Sequence, residues 1–172
     1  MRRILALAFA LGSAGFGSCT PVRSAQADCV PTPAQECRPA LEGTLLDGTH
    51  VAGPSFQGKV VLVNFWATWC APCLAEMPAF ERVFAKHRGD GFVILGVLAS
   101  DGSTDDEVRA FLSERGVSYP VLRSNGGIEA GFTLGEVLPM SFLYDRSGKL
   151  VQTWKGLVDE DVLATQVSAL VK

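Results

Sequence analysis

Residues 59–73 read KVVLVNFWATWCAPC, and the rest of the chain can be placed around them. Residues 60–65 are β-branched and aromatic with almost no polar interruption. That is the pattern of a strand covered on both faces, central in a parallel or mixed sheet. Immediately after it, Cys70-Ala71-Pro72-Cys73 opens a helical pattern, because proline is tolerated in a first turn and residues 74–87 carry good helix formers. The two cysteines are therefore expected at a helix N-terminus. There, unpaired backbone N–H groups and the positive end of the helix dipole favour a thiolate over a thiol. A spacing of three also brings both sulfurs to one face of the first turn, where a disulfide can open and close with little backbone movement.

A lone CxxC also reads as half of a zinc site. Zinc takes about four ligands, whereas this chain has no second CxxC and no HxxxH, and His50 and His87 are isolated. Redox chemistry is the better reading of the pair.

Gly58-Lys59, VLVNFWATWCAPC at 61–73, Glu76 and Pro78, with Pro139 ahead of SFLYDRSGKL at 141–150, resemble the thioredoxin superfamily. The form with Glu76 and Pro78 resembles its TlpA/ResA branch of extracytoplasmic thiol-disulfide oxidoreductases. The resemblance implies a periplasmic reductase of protein disulfides, with a role in cytochrome c maturation and apocytochrome c as a substrate. It implies no cofactor beyond the Cys70–Cys73 disulfide and no metal. A reductant outside the cytoplasm must also be recharged, so a membrane electron-transfer partner is expected.

Roles follow by position. Cys70 is implied as the thiolate that forms a mixed disulfide with substrate, and Cys73, one turn deeper, as the thiol that resolves it. Glu76, three residues beyond Cys73, matches the branch's functional glutamate, placed to exchange a proton with that thiol. On spacing alone it reads as an exposed helix-surface carboxylate. Trp69 is expected to shield the pair, or else to be a structural aromatic at a strand end. Trp66 reads as packing, Pro72 as a restraint on the turn between the sulfurs, and Pro78 as a kink. Asn64 stands where thioredoxin itself carries a buried Asp as proton acceptor. An amide cannot act as a base, which shifts the deprotonation of Cys73 to Glu76. Leu138-Pro139 matches the family's cis-proline, with Leu138 offering its backbone to a substrate strand; a trans turn proline is the alternative. The family usually follows this proline with Thr, where this chain has Met140.

Two functions of other classes compete. Paired soft thiolates suit Cu(I), but a copper-handling module would want a nearby His or a Met-rich stretch beyond Met77 and Met140. A thiol peroxidase would carry Pro-x-x-x-Thr-x-x-Cys, which is absent.

At the start of the chain, Arg2 and Arg3 precede an apolar run over 4–11, and small residues lead to Ala25-Gln26-Ala27. Residues 1–27 are expected to be a secretory signal peptide. The alternative is a lipoprotein signal ending before Cys19, since FGSC at 16–19 loosely resembles a lipidation box, with membrane attachment through that cysteine. Either route delivers the domain outside the cytoplasm. Five cysteines occur, and setting Cys19 aside leaves an even set compatible with an oxidising compartment. Residues 28–40 are Pro-rich and read as a linker or extension, in which Cys29 and Cys37 are expected to form a structural disulfide; two free or redox-active thiols are the alternative. Loss of Arg2, Arg3 and Arg23 reduces 15 basic residues to 12 against 18 acidic ones, a net charge of −6. With no basic patch, a nucleic-acid partner is not expected.

Residues 41–172 are expected to form one domain. A hairpin over 41–51 turns at Asp47-Gly48, and an apolar run over 92–99 follows the first helix as a parallel neighbour of the central strand. Thr104 caps a second helix that buries Val108, Phe111 and Leu112, a brief strand lies near residues 119–122, and an irregular stretch begins at Asn125. A closing hairpin over 140–154 leads to a last helix capped by Asp159, with Val162, Leu163, Val167 and Leu170 at helical spacing. The order predicts an α/β, thioredoxin-like fold: a central mixed β-sheet with helices on both faces and an N-terminal β-hairpin extension. In open α/β sheets function lies beyond the carboxyl ends of strands, where Cys70 falls.

Overall fold

A computed structural model describes residues 29–32, 36–99 and 102–172. The expected signal peptide and Cys19 lie outside the described residues. Strands β1 (Gly43–Thr44) and β2 (His50–Val51) pair antiparallel as the expected hairpin, turning through Gly48 at φ +88°, a conformation glycine adopts without a Cβ clash. Then come β3 (Val60–Trp66), α1 (Ala71–His87), β4 (Phe92–Leu98), α2 (Asp105–Glu114), β5 (Val121–Arg123), β6 (Met140–Tyr144), β7 (Leu150–Lys155) and α3 (Glu160–Leu170). The main sheet has the order β5-β4-β3-β6-β7. β3 and β5 run parallel to β4, and β6 runs antiparallel to both β3 and β7. Every residue of β3 is buried, which is why its sequence shows no alternation of apolar and polar residues.

The two sides of β3 divide the core. Val60, Leu62 and Trp66 face Met77 and Phe80 of α1, Val108 and Leu112 of α2, and Leu163 and Val167 of α3. Val61, Val63 and Phe65 face Leu41, Leu45, Phe56, Ile128 and Phe142. Three α-helices thus cover one side, while among the described residues the helical cover on the other is limited to single 3-10 turns at Gly53–Phe56 and Glu129–Gly131 beside the hairpin. The connection from β5 to β6 carries Gly126, Gly127, Gly131 and Gly135, and that glycine content opposes a longer helix there. Close packing also fixes Gly96 of β4. A Cβ at this position would lie 3.0 Å from Val121 Cγ2 and 3.2 Å from Trp66 Nε1.

Both predicted caps form: Thr104 and Glu107 make a reciprocal capping box, and Asp159 accepts from the N–H groups of Asp161 and Val162. Val162 departs from expectation. It is 45% exposed, because α3 presents Leu163 and Val167 to the sheet, and Val162 lies about 100° round the helix from Leu163.

The described residues of the Pro-rich segment form an extension rather than a free linker. It is docked onto the sheet edge, since Leu150 N–H donates to Glu36 O at 2.8 Å, Arg38 N–H to Gly148 O at 2.7 Å and Cys29 N–H to Ser147 O at 2.9 Å. The sulfurs of Cys29 and Cys37 are bonded, with Cα atoms 5.7 Å apart. The β6–β7 turn and the first residue of β7 supply the main-chain partners, since N–H and C=O groups left unpaired at a sheet edge are a template for an added segment. At the opposite edge Leu46 N–H donates to Val121 O at 2.9 Å, so the β1–β2 hairpin covers β5.

Arg146, in the β6–β7 turn, ties together the end of the sheet remote from Cys70. Its guanidinium donates to Gly58 O at 2.9 Å and to Asp90 O and Val171 O at 2.8 Å each. Arg146→Ala leaves these carbonyls without their charged donor and is expected to lower unfolding free energy by about 3 kcal/mol. Urea denaturation reads this, and a loss within about 0.5 kcal/mol would show that the three contacts are dispensable.

Candidate active site

The turn after β3 ends in Cys70, which is the N-cap of α1, and its Sγ accepts from the Cys73 N–H at 3.3 Å. Pro72 occupies the first turn, where no intrahelical donor is lost. Cys70 and Cys73 are bonded to each other with Cα atoms 5.3 Å apart. They are 4% and 1% exposed, so the pair is seated in the protein with Cys70 on the outer side. Trp69 is 69% exposed. It is not a packed strand-end aromatic, and it offers an open apolar surface next to Cys70.

Glu76 lies one turn further along α1 and is 2% exposed, so the exposed-surface alternative does not hold. Its Oε1 accepts from Asn64 Nδ2 at 2.9 Å, and its Oε2 accepts from the Val158 N–H at 3.1 Å. Burial in the apolar core raises the Glu76 pKa to about 7, and the two N–H donors oppose that rise without cancelling it. The buried Tyr119 hydroxyl is held neutral, first by desolvation and then by the Glu76 and Glu81 carboxylates. α1 continues as a helix through Pro78.

Asn64 places both N–H bonds of its amide, one on Glu76 and the other on Ser141 Oγ at 3.0 Å. Ser141 was not singled out from the sequence. The signal was one small polar residue in the apolar run of β6, in phase with the one polar residue of β3, since Asn64 and Ser141 are cross-strand partners.

The Leu138–Pro139 peptide is cis. Phe65 pairs with Met140, which sets Pro139 level with the carboxyl end of β3, and Pro139 O accepts from the Gly156 N–H at 2.8 Å. Leu138 packs against the cluster that contains Cys70 and Cys73. Met140 is 1% exposed, so its departure from the usual Thr falls in the core rather than on an open surface. Cys29 and Cys37 belong to the docked extension beside the β6–β7 turn, at the far end of the sheet from Cys70.

The Redoxin family profile matches residues 30–171. The chain belongs to the Redoxin family. This redoxin is 39% identical over 114 residues to thiol-disulfide oxidoreductase ResA of Bacillus thuringiensis subsp. konkukian, the match covering 66% of this chain and 64% of that protein. It is 36% identical over 115 residues to thiol:disulfide interchange protein HelX of Rhodobacter capsulatus, covering 66% of this chain and 62% of that protein. The aligned stretch thus spans less than two thirds of these relatives' own length. Among solved structures, a thioredoxin-family thiol:disulfide interchange protein from Chlorobium tepidum TLS superposes with a TM-score of 0.72 at 27% identity, covering 85% of this chain and all of that one. The fold is thioredoxin-like.

The Glu76 titration has a signed effect on stability. Its pKa rises from 4.5 to about 7 on folding, so between those values the unfolded chain is ionised where the folded protein holds the proton. Stability from this group is full below pH ~4.5 and is lost as pH rises to ~7, by about 3 kcal/mol in total. In the oxidised protein, the stability difference between wild type and Glu76→Gln is expected to swing by that amount from pH 4 to pH 8, with the variant gaining at high pH. A pH-independent difference in chemical denaturation would contradict the buried carboxylate.

Proposed function

We propose that this redoxin is an extracytoplasmic thiol-disulfide oxidoreductase that works as a reductant of protein disulfides, with apocytochrome c as one substrate class. The observation that carries the reading is the Cys70–Cys73 bond at the N-terminus of α1 with the buried Glu76 carboxylate one turn on. The names of the ResA and HelX relatives support the same chemistry.

In the reduced protein the Cys70 thiolate, favoured by the helix N-terminus, attacks one sulfur of a substrate disulfide. A Cys70–substrate disulfide forms and the other substrate sulfur leaves as a thiolate. Glu76 accepts the Cys73 proton, and the Cys73 thiolate attacks Cys70 Sγ, releasing the second substrate thiolate. Two electrons pass to the substrate and the Cys70–Cys73 disulfide remains. A pKa near 7 suits the acceptor, which must take a proton at neutral pH and return it when the pair is reduced again. The partner that re-reduces the pair must itself supply two electrons from a dithiol, and outside the cytoplasm these come through the membrane. Leu138, next to Pro139, offers its backbone to the substrate strand, with Trp69 as an apolar contact beside Cys70.

Cys73→Ser is expected to accumulate mixed disulfides through Cys70, and Cys70→Ala none, on non-reducing gels of whole-cell extracts after acid quench. In the wild type the same quench and thiol trapping should find the pair largely reduced among otherwise oxidised thiols. A pair that stays oxidised whatever membrane reductant is supplied would reverse the direction and make the protein an oxidase or isomerase.

A further inference from the structure

Asn64 and Ser141 are 2% and 0% exposed and stand opposite each other on β3 and β6. The Asn64 Nδ2 bridges them to the site, donating to Glu76 Oε1 at 2.9 Å and to Ser141 Oγ at 3.0 Å. An amide offers a donor on one side and an acceptor on the other. Its NH2 towards Glu76 favours the carboxylate, whereas its carbonyl there would favour the protonated acid. In the first orientation two N–H bonds point into the core, and the second is satisfied by Ser141. Without that hydroxyl a buried N–H is left orphaned, while the turned amide, accepting from protonated Glu76, leaves no orphan at that point.

We propose that Ser141 is a positioning residue for Glu76: its hydroxyl holds the Asn64 amide with Nδ2 towards the carboxylate, so that the proton acceptor of Cys73 can ionise inside an apolar core. This rests on the reading of Glu76 as that acceptor. Other groups facing Glu76 do not substitute for the pair. α1 contributes Cys73, the segment before β5 contributes the neutral hydroxyl of Tyr119, and the β7–α3 loop contributes a main-chain N–H from Val158. Acidic side chains on the same elements are engaged elsewhere, with Asp159 capping α3, Glu160 bound to Arg82 and Glu81 bound to Ser118.

The decisive comparison is Ser141→Thr against Ser141→Val, which share shape and differ by the hydroxyl, with Ser141→Ala as a third variant. The Glu76 side-chain carboxylate is followed by 13C NMR in the oxidised protein from pH 4.5 to 9, with Glu76→Gln to assign the signal. Wild type and Ser141→Thr should titrate together, near pH 7. Ser141→Val and Ser141→Ala should titrate higher by about one pH unit, and the pH profile of disulfide exchange in the reduced proteins should move with them. If Val and Ala variants titrate as wild type, Ser141 is packing only and the proposal falls, while a wild-type midpoint near 7 keeps the role of Glu76 intact. A wild-type midpoint near 4.5 would overturn both.

Discussion

The carboxylate of Glu76 is where the helix, the sheet and the loop into the last helix meet. It projects from α1, receives the Asn64 amide from β3 and the Val158 N–H from the β7–α3 loop, and is closed off from water. An ionised carboxylate alone in an apolar core is strongly disfavoured. One with an N–H on each oxygen is brought close to balance, so that a neutral-pH proton can go either way. The balance depends on strand register, because Asn64 meets Ser141 only if β3 and β6 pair as they do. A one-residue slip of β6 would turn Ser141 to the opposite core and leave Asn64 without it.

The same arrangement separates the two cysteines. Cys70 is the N-cap and takes an N–H from Cys73 on its sulfur, so its thiolate is favoured by the helix terminus. Cys73 lies deeper, at 1% exposure, and in the proposed cycle its proton has a nearby destination in Glu76. A thioredoxin-type Asp at position 64 would set a second carboxylate against Glu76, and two such groups would share one proton. Asn64 keeps the polar contact without the second charge.

Local signals and the parallel β3–β4 pairing were legible in the sequence, whereas the side-chain link between β3 and β6 was not. The apolar run of β3, the CxxC at a helix start, and the caps Thr104 and Asp159 depend on neighbours a few residues away. The link from Asn64 to Ser141 joins positions 77 apart, and no spacing rule reaches that far. Burial of Glu76 was equally hidden, because a carboxylate three residues beyond Cys73 suits a wet or a dry helix face until α3 and its loop are in place. The Pro-rich segment carries no apolar period, yet it docks on the β6–β7 turn and the start of β7 through main-chain bonds of its non-proline residues, which leave no mark in the pattern of side chains.

The central claim is that Glu76 takes the proton of Cys73 during resolution. Its most direct test is single-turnover stopped flow of the reduced protein with a small aromatic disulfide, following release of the second thiol from pH 5 to pH 9. The wild-type resolution rate should rise with an apparent midpoint near 7 that belongs to the coupled carboxylate and thiol. Glu76→Gln should resolve at least about tenfold more slowly at pH 7 and rise only towards the ordinary thiol range of about 8.5. Equal rates and superimposable profiles for the two proteins would contradict the account.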